Sequence, residues 1–171
     1  MARQGSLKEF QEALAQRLRE AAQAEPSSRL GFEAGSGRYL LKLEDAGEVL
    51  PVPELTPVPL TRPWFLGVAN VRGTLVCVVD FAAFIGEAPT VLGADARLIL
   101  LAERFGAQAA LVVSRMLGLK SLRSLEPAQA SPGAPWLGAA FAERAGDAGA
   151  HWREIELEAL AGDEQFLQVG V

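Results

Sequence analysis

The sequence predicts a mainly β fold behind a single N-terminal helix. From residue 30 onward, short apolar stretches alternate with Gly, Pro and Asp breakers. They amount to roughly nine strand candidates at about 8–15-residue spacing, too close together for the helices of a parallel α/β sheet. Before residue 27 the pattern differs. Leu7, Phe10, Leu14, Leu18 and Ala21 recur at spacings of three and four, which lines one face of an amphipathic helix.

Ser6-Leu7-Lys8-Glu9 matches a capping box at the start of that helix, and Pro26 with Ser27 and Ser28 ends it. Residues 1–26 therefore form a helical extension and residues 27–171 the body. Two readings of the apolar stripe stand: it docks on the protein's own body, or it is offered to a partner.

In the body, Leu30–Ala34 and Arg38–Leu43 flank Gly35-Ser36-Gly37, a hairpin signal. Glu48-Val49-Leu50 begins another strand. It runs into Pro51–Pro59, where four prolines in nine residues exclude helix and central strand and leave a stiff extended link. Trp64–Asp80 holds two Val-rich runs around Asn70-Val71-Arg72-Gly73, two buried strands about a tight turn. Phe81–Gly86 is a helical turn stopped by glycine. Arg97–Ala102 and Ala109–Val113 form a second hairpin-like pair, and Leu117–Leu122 is a further strand candidate. Glu126–Pro135 reads as a loose loop. Trp136–Phe141 and His151–Ile155 are strands flanking Gly146–Gly149, Ile155–Leu160 is helix-like, and Phe166–Val169 is a last strand candidate.

Composition narrows the function. The 171 residues suffice for one domain with an appendage, and at 50% hydrophobic and 22% charged the chain is globular. A net charge of −5, with no run of arginines, argues against nucleic-acid binding, which needs a basic face. The first ten residues lack an apolar signal core, and no apolar run approaches the ~18 residues that span a bilayer, so a soluble cytoplasmic protein is expected. Cys77 is the only cysteine and reads as a small buried hydrophobe between Val76 and Val78.

The residues give enzyme chemistry little to work with. His151 is the only histidine, so the chain cannot build a histidine metal cluster, and no Gly-x-Ser-x-Gly elbow accompanies it. Gly35-Ser36-Gly37 lacks the following lysine and helix of a phosphate loop. Glu154, Glu156 and Glu158 alternate with Ile155, Leu157 and Ala159, which suggests the wet face of an edge element rather than an acid/base pair. The Trp and Phe residues sit singly in apolar runs, as core anchors. No catalytic, cofactor-binding or metal-binding residue is assigned, and a recognition module is expected. Arg72 is the exception to this bland pattern. A guanidinium between two apolar runs needs a carboxylate, a carbonyl or a partner, because its lone burial is costly.

The motif residues point to a family. Glu48-Val49, Thr56-Pro57-Val58-Pro59, Trp64-x-x-Gly67-Val68-x-Asn70-x-Arg72-Gly73 and Val78-Val79-Asp80-Phe81 follow in an order and spacing that resembles the CheW-like domain. Leu111-Val112-Val113, Met116 and Ile155-x-Leu157-x-x-Leu160 extend the likeness downstream, so it covers about residues 30 to 165. The resemblance implies two SH3-like five-stranded β-barrels around a shared apolar seam. It also implies a non-enzymatic adaptor linking a methyl-accepting chemoreceptor to the regulatory domain of a CheA-type histidine kinase, reaching the membrane only through the receptor. The Gly-Val-Ala-Asn-Val-Arg-Gly form is most similar to adaptors of type IV pilus (twitching) systems; a flagellar or other chemosensory array is the alternative.

By the same resemblance, Arg72 pairs with Glu48. The pair either staples the seam or, with Asn70, Gly73 and Val113, belongs to the partner-binding groove; both can hold. Gly73 is expected to serve the turn and Gly67 a close packing contact. The sequence departs from the family where an acidic residue becomes Ser114 followed by Arg115, and where Cys77 replaces a usual proline.

Overall fold

A computed structural model describes residues 27–144 and 150–171. The expected N-terminal helix and the Gly146–Gly149 turn lie outside these residues. The body is mainly β, in two sheets. The first has six strands in the order β8-β1-β2-β11-β10-β9, and the second five in the order β3-β6-β7-β5-β4. In chain order these are β1 (Ser28–Ala34), β2 (Gly37–Lys42), β3 (Ala46–Pro51), β4 (Phe65–Val71), β5 (Thr74–Asp80), β6 (Arg97–Leu101), β7 (Ala109–Val113), β8 (Arg115–Ser121), β9 (Leu125–Ala128), β10 (Leu137–Glu143) and β11 (His151–Ile155). Short helices α1 (Phe81–Phe84), α2 (Leu157–Ala161) and α3 (Glu164–Leu167) complete the described elements with three 3-10 turns.

The chain starts in the first sheet, builds the whole second sheet with β3 to β7, and returns for β8 to β11. Neighbouring strands run antiparallel except for two parallel pairs, β2 with β11 and β5 with β7. The edge strands β8 and β9 of the first sheet are joined by only the three residues Leu122–Ser124. Three residues reach about 10 Å, so the sheet must curl to bring its edges together. Leu40, Leu125 and Trp152 fill one small core, and Val71, Val76, Val78, Leu98, Ala110 and Val112 belong to another within the second sheet.

Between the sheets lies a third, larger core, the expected seam. It is rich in aromatic rings: Trp64 meets Phe84 edge-on at 5.1 Å, Phe84 meets Phe166 at 5.5 Å, and Tyr39 meets Phe81 at 5.2 Å. Such pairs add about 0.5–1.5 kcal/mol each beyond the area they bury. Asp80 anchors the seam's polar edge. It caps α1 through Ala82 N–H and takes both the Thr90 amide (2.7 Å) and hydroxyl (2.8 Å), so its buried carboxylate is well supplied with donors.

Several sequence readings are corrected. Leu125–Ala128, which takes in the first three residues of the expected loose loop, is an edge strand; Pro127 is tolerated because an edge strand needs hydrogen bonds on one side only. Phe166 lies in α3 rather than a strand, capped by Asp163, whose carboxylate accepts from the Phe166 amide at 3.0 Å. Glu154 and Glu156 are not a wet edge face: β11 is an interior strand, Glu154 is buried against Arg29, and Glu156 binds Lys42 at 2.8 Å. Cys77 is exposed, since strand alternation turns Val76 and Val78 into the core and Cys77 out. Its amide donates to Gln108 at 2.9 Å, a bond that a proline there lacks.

Candidate functional site

The β4–β5 hairpin turns through only two residues, Arg72 and Gly73. Their φ angles are +51° and +84°, the double positive φ of the tight turns that match strand twist. Asn70 supports the turn by accepting the Gly73 amide on its side-chain oxygen at 2.9 Å. A Cβ on Gly73 would meet nothing within 4 Å, so glycine is needed there for its φ alone. Gly67 is different. Its φ is +123°, and a Cβ would fall 2.1 Å from the Thr56 carbonyl oxygen, because the Pro-rich link pairs with β4 through Thr56 and Val68.

Arg72 donates to Glu48 at 2.6 Å. Glu48 follows a bulge at Gly47 on β3, an edge strand. Along a flat sheet, β3 and the β4–β5 turn stand three to four strand spacings apart, about 14–19 Å. The pair therefore spans the open mouth of a curled sheet. The Arg72 side chain is 77% exposed, so the cost of burial that singled it out in the sequence does not apply. Backbone conformation, not desolvation, is what is unusual about it.

Under the pair opens a cleft of about 470 Å³. Its lining is mixed: Val71, Val76, Leu101 and Ala109 contribute apolar surface, and Glu48, Arg72, Thr74, Glu103 and Gln108 polar groups. Next to Glu103, Arg104 donates to the Glu44 carbonyl at 3.0 Å and pairs with the buried Asp45. Burial raises the Asp45 carboxyl above its ordinary value, opposed by the Arg104 charge.

Glu48, Asn70, Arg72 and Gly73 thus come together at one rim. Val113 does not join them: it is fully buried in the seam core at the other end of β7 and presents no surface. The divergent neighbours have local roles, since the Ser114 amide donates to the Glu33 carbonyl at 2.8 Å and Arg115 pairs with Glu33 at 3.0 Å. Glu103 and Gln108 went unread in the sequence. Gln108 is one polar residue between alanines and Glu103 adjoins Arg104, so neither stands out along the chain; Gln108 lines the cleft because its carbonyl accepts the Cys77 amide of the neighbouring β5. Asp80 did leave a signal, an acid directly before an apolar helical turn.

Two sheets about an aromatic seam, with this hairpin at the mouth of one of them, define a two-sheet β module. The chain belongs to the CheW-like domain family, whose model matches residues 29–163. It is 29% identical over 150 residues to Protein PilI of Pseudomonas aeruginosa, covering 84% of this chain and 80% of that protein. Among solved structures it is similar to the scaffolding protein TtCheW from Thermoanaerobacter tengcongensis, with a TM-score of 0.63 and 20% identity over 76% of this chain and 88% of that one. At that identity the likeness speaks for the fold.

Proposed function

We propose that this chain is a chemosensory adaptor that couples a methyl-accepting chemoreceptor to a CheA-type histidine kinase in the control of type IV pili and twitching motility. It works on the cytoplasmic side, reaches the membrane through the receptor, and transmits conformation without catalysing a reaction. Residues 1–26 are an extension to the adaptor domain of residues 27–171.

One observation carries the receptor-facing part of this reading: Arg72 holds a left-handed backbone at the rim of a cleft that mixes apolar and polar surface. A non-glycine residue there costs on the order of 1 kcal/mol, and an exposed ion pair such as Arg72–Glu48 returns about 0–1 kcal/mol. Stability alone gives no reason to place arginine at this turn, where Asn or Gly fits better. Recognition does: a guanidinium fixed by Glu48 beside a cleft of mixed apolar and polar surface suits an amphipathic helical receptor tip. The PilI likeness favours the pilus circuit.

Titration calorimetry with the receptor's cytoplasmic tip tests it. Arg72→Ala and Glu48→Ala, both folded, should weaken receptor binding by about tenfold or more. Wild-type affinity in both variants refutes the rim assignment. Loss of twitching without loss of swimming, in a strain deleted for this chain, supports the pilus circuit; the opposite phenotype refutes it.

A further inference from the structure

The apolar seam runs out along β8, at one end of the first sheet. Leu41 on β2, Leu30 on β1 and Leu119 on β8 stand opposite one another across three strands, so their side chains share one face. Leu41 is fully buried in the seam, Leu30 is partly buried against it, and Leu119 is 59% exposed. A bulge at Leu117 brings Met116 onto the same face of β8, opposite the buried Phe32, and Met116 too is only partly covered. The seam thus continues into an open apolar margin made by Leu30, Met116 and Leu119.

The N-terminal segment joins the body at this margin. The Ser27 carbonyl accepts the Leu122 amide at 3.0 Å, and Ser28 stands opposite Ser121. Ser121 is two residues from Leu119 along β8, a distance of about 7 Å. The stripe of Leu7, Phe10, Leu14, Leu18 and Ala21 lies just upstream, separated from Ser27 by residues 22–26, which reach at most about 17 Å. As a helix, Leu7 to Ala21 is about 21 Å long, and the seven residues of β8 span about 20 Å. A helix of this length is marginal in water and needs an apolar surface to hold it. So short a tether keeps the stripe beside the margin at an effective concentration on the order of millimolar, ahead of any separate protein.

We infer that residues 7–21 dock as a helix along β8 and cover Leu119, with the open sides of Leu30 and Met116, by their apolar stripe. The tether sets the direction. The Ala21 end lies beside Ser121 and the Leu7 end toward Arg115, so the helix runs parallel to β8 and antiparallel to β1. The stripe then serves the chain's own body and extends the seam by one more layer. Neither receptor nor kinase enters this inference, so it stands apart from the adaptor reading.

Amide hydrogen exchange of the full chain, followed by mass spectrometry at two protein concentrations, tests it. Residues 10–21 of the wild type should exchange about tenfold or more slowly than the same residues in a synthetic peptide of residues 1–26. Leu14→Glu/Leu18→Glu, in the stripe, and Leu119→Glu, on β8, should each abolish that protection. Unchanged protection of the buried strand β7 in both variants shows that the body is still folded. A wild-type segment that exchanges as fast as the peptide overturns the inference. Protection that survives Leu119→Glu also overturns it, and places the helix elsewhere on the body. If that variant instead loses binding to the receptor's cytoplasmic tip while the segment stays protected, the margin belongs to the receptor. Protection that fades on dilution overturns the inference in favour of a second copy of the chain.

Discussion

Arg72 and Glu48 meet at 2.6 Å across the mouth of the five-stranded sheet, one from a hairpin turn and the other from an edge strand. The contact reports the curl of the whole sheet, because neither residue's own strand touches the other's. It also carries a backbone cost, since Arg72 sits at a φ of +51°. The pair thus combines a small electrostatic gain with a similar conformational loss.

That balance gives a prediction for the turn. Arg72→Gly removes the ion pair and the left-handed strain together, so stability in urea should stay within about 1 kcal/mol of wild type or rise. Arg72→Ala keeps the strain and loses the pair, and should fall about 1 kcal/mol below Arg72→Gly. Both should lose receptor binding alike. A glycine variant clearly less stable than the alanine variant would show that the turn is not strained.

Gly67 faces a harder limit. An added Cβ meets the Thr56 carbonyl at 2.1 Å, and both are backbone-held through the Thr56–Val68 bonds of 2.8 and 2.9 Å. Neither side can yield as a flexible side chain does. Gly67→Ala should cost about 3 kcal/mol or more, read by chemical denaturation, and should free the Thr56 amide for hydrogen exchange. A near-neutral effect would mean that the Pro-rich link does not sit on β4.

Asp80 braces the loop between α1 and β6 at Thr90. Asp80→Ala leaves the Thr90 amide and the α1 amides without their acceptor, at a cost of about 2–4 kcal/mol. Amide exchange should accelerate first at Thr90. Unchanged protection there would refute the bracing role.

How far the sequence carries to this structure depends on whether a feature is local. The β1–β2 hairpin, the Val-rich β4–β5 pair, the α1 turn and the aromatic anchors follow from neighbours along the chain, and each lies where periodicity and breakers place it. Cys77 was misread because a run of valines hides which side of the strand is wet; only packing of Val76 and Val78 decides that. Glu154 misled for the opposite reason. Its charge suggested solvent, yet Arg29 of a sequentially remote strand covers it. The Arg72–Glu48 pair was accessible only through family likeness, since no local rule links a bulged edge strand to a hairpin turn. Val113 shows the limit of that route: a motif position can be carried by the core rather than by a surface.

Tyr39 makes the fold sensitive to alkali. Its ring packs on Phe32 at 5.6 Å and Phe81 at 5.2 Å, and burial, with a smaller push from Glu87, raises its hydroxyl above the ordinary value of 10.0. The unfolded chain gives up this proton first as pH rises. The folded state then binds more protons than the unfolded one, and stability falls with pH. The contribution is complete below about pH 10 and is lost as pH climbs through the raised value. Lys42, raised chiefly by its hydrogen bond to Glu156, acts in the same direction above its ordinary 10.5. Tyr39→Phe should therefore flatten, without abolishing, the loss of stability as pH rises above about 10, measured by urea unfolding at fixed ionic strength. Near pH 7 its ring stacking is preserved, so the phenylalanine variant should differ from wild type by no more than about 1 kcal/mol. An alkaline slope equally steep in both proteins would mean that Tyr39 ionises as freely in the fold as outside it.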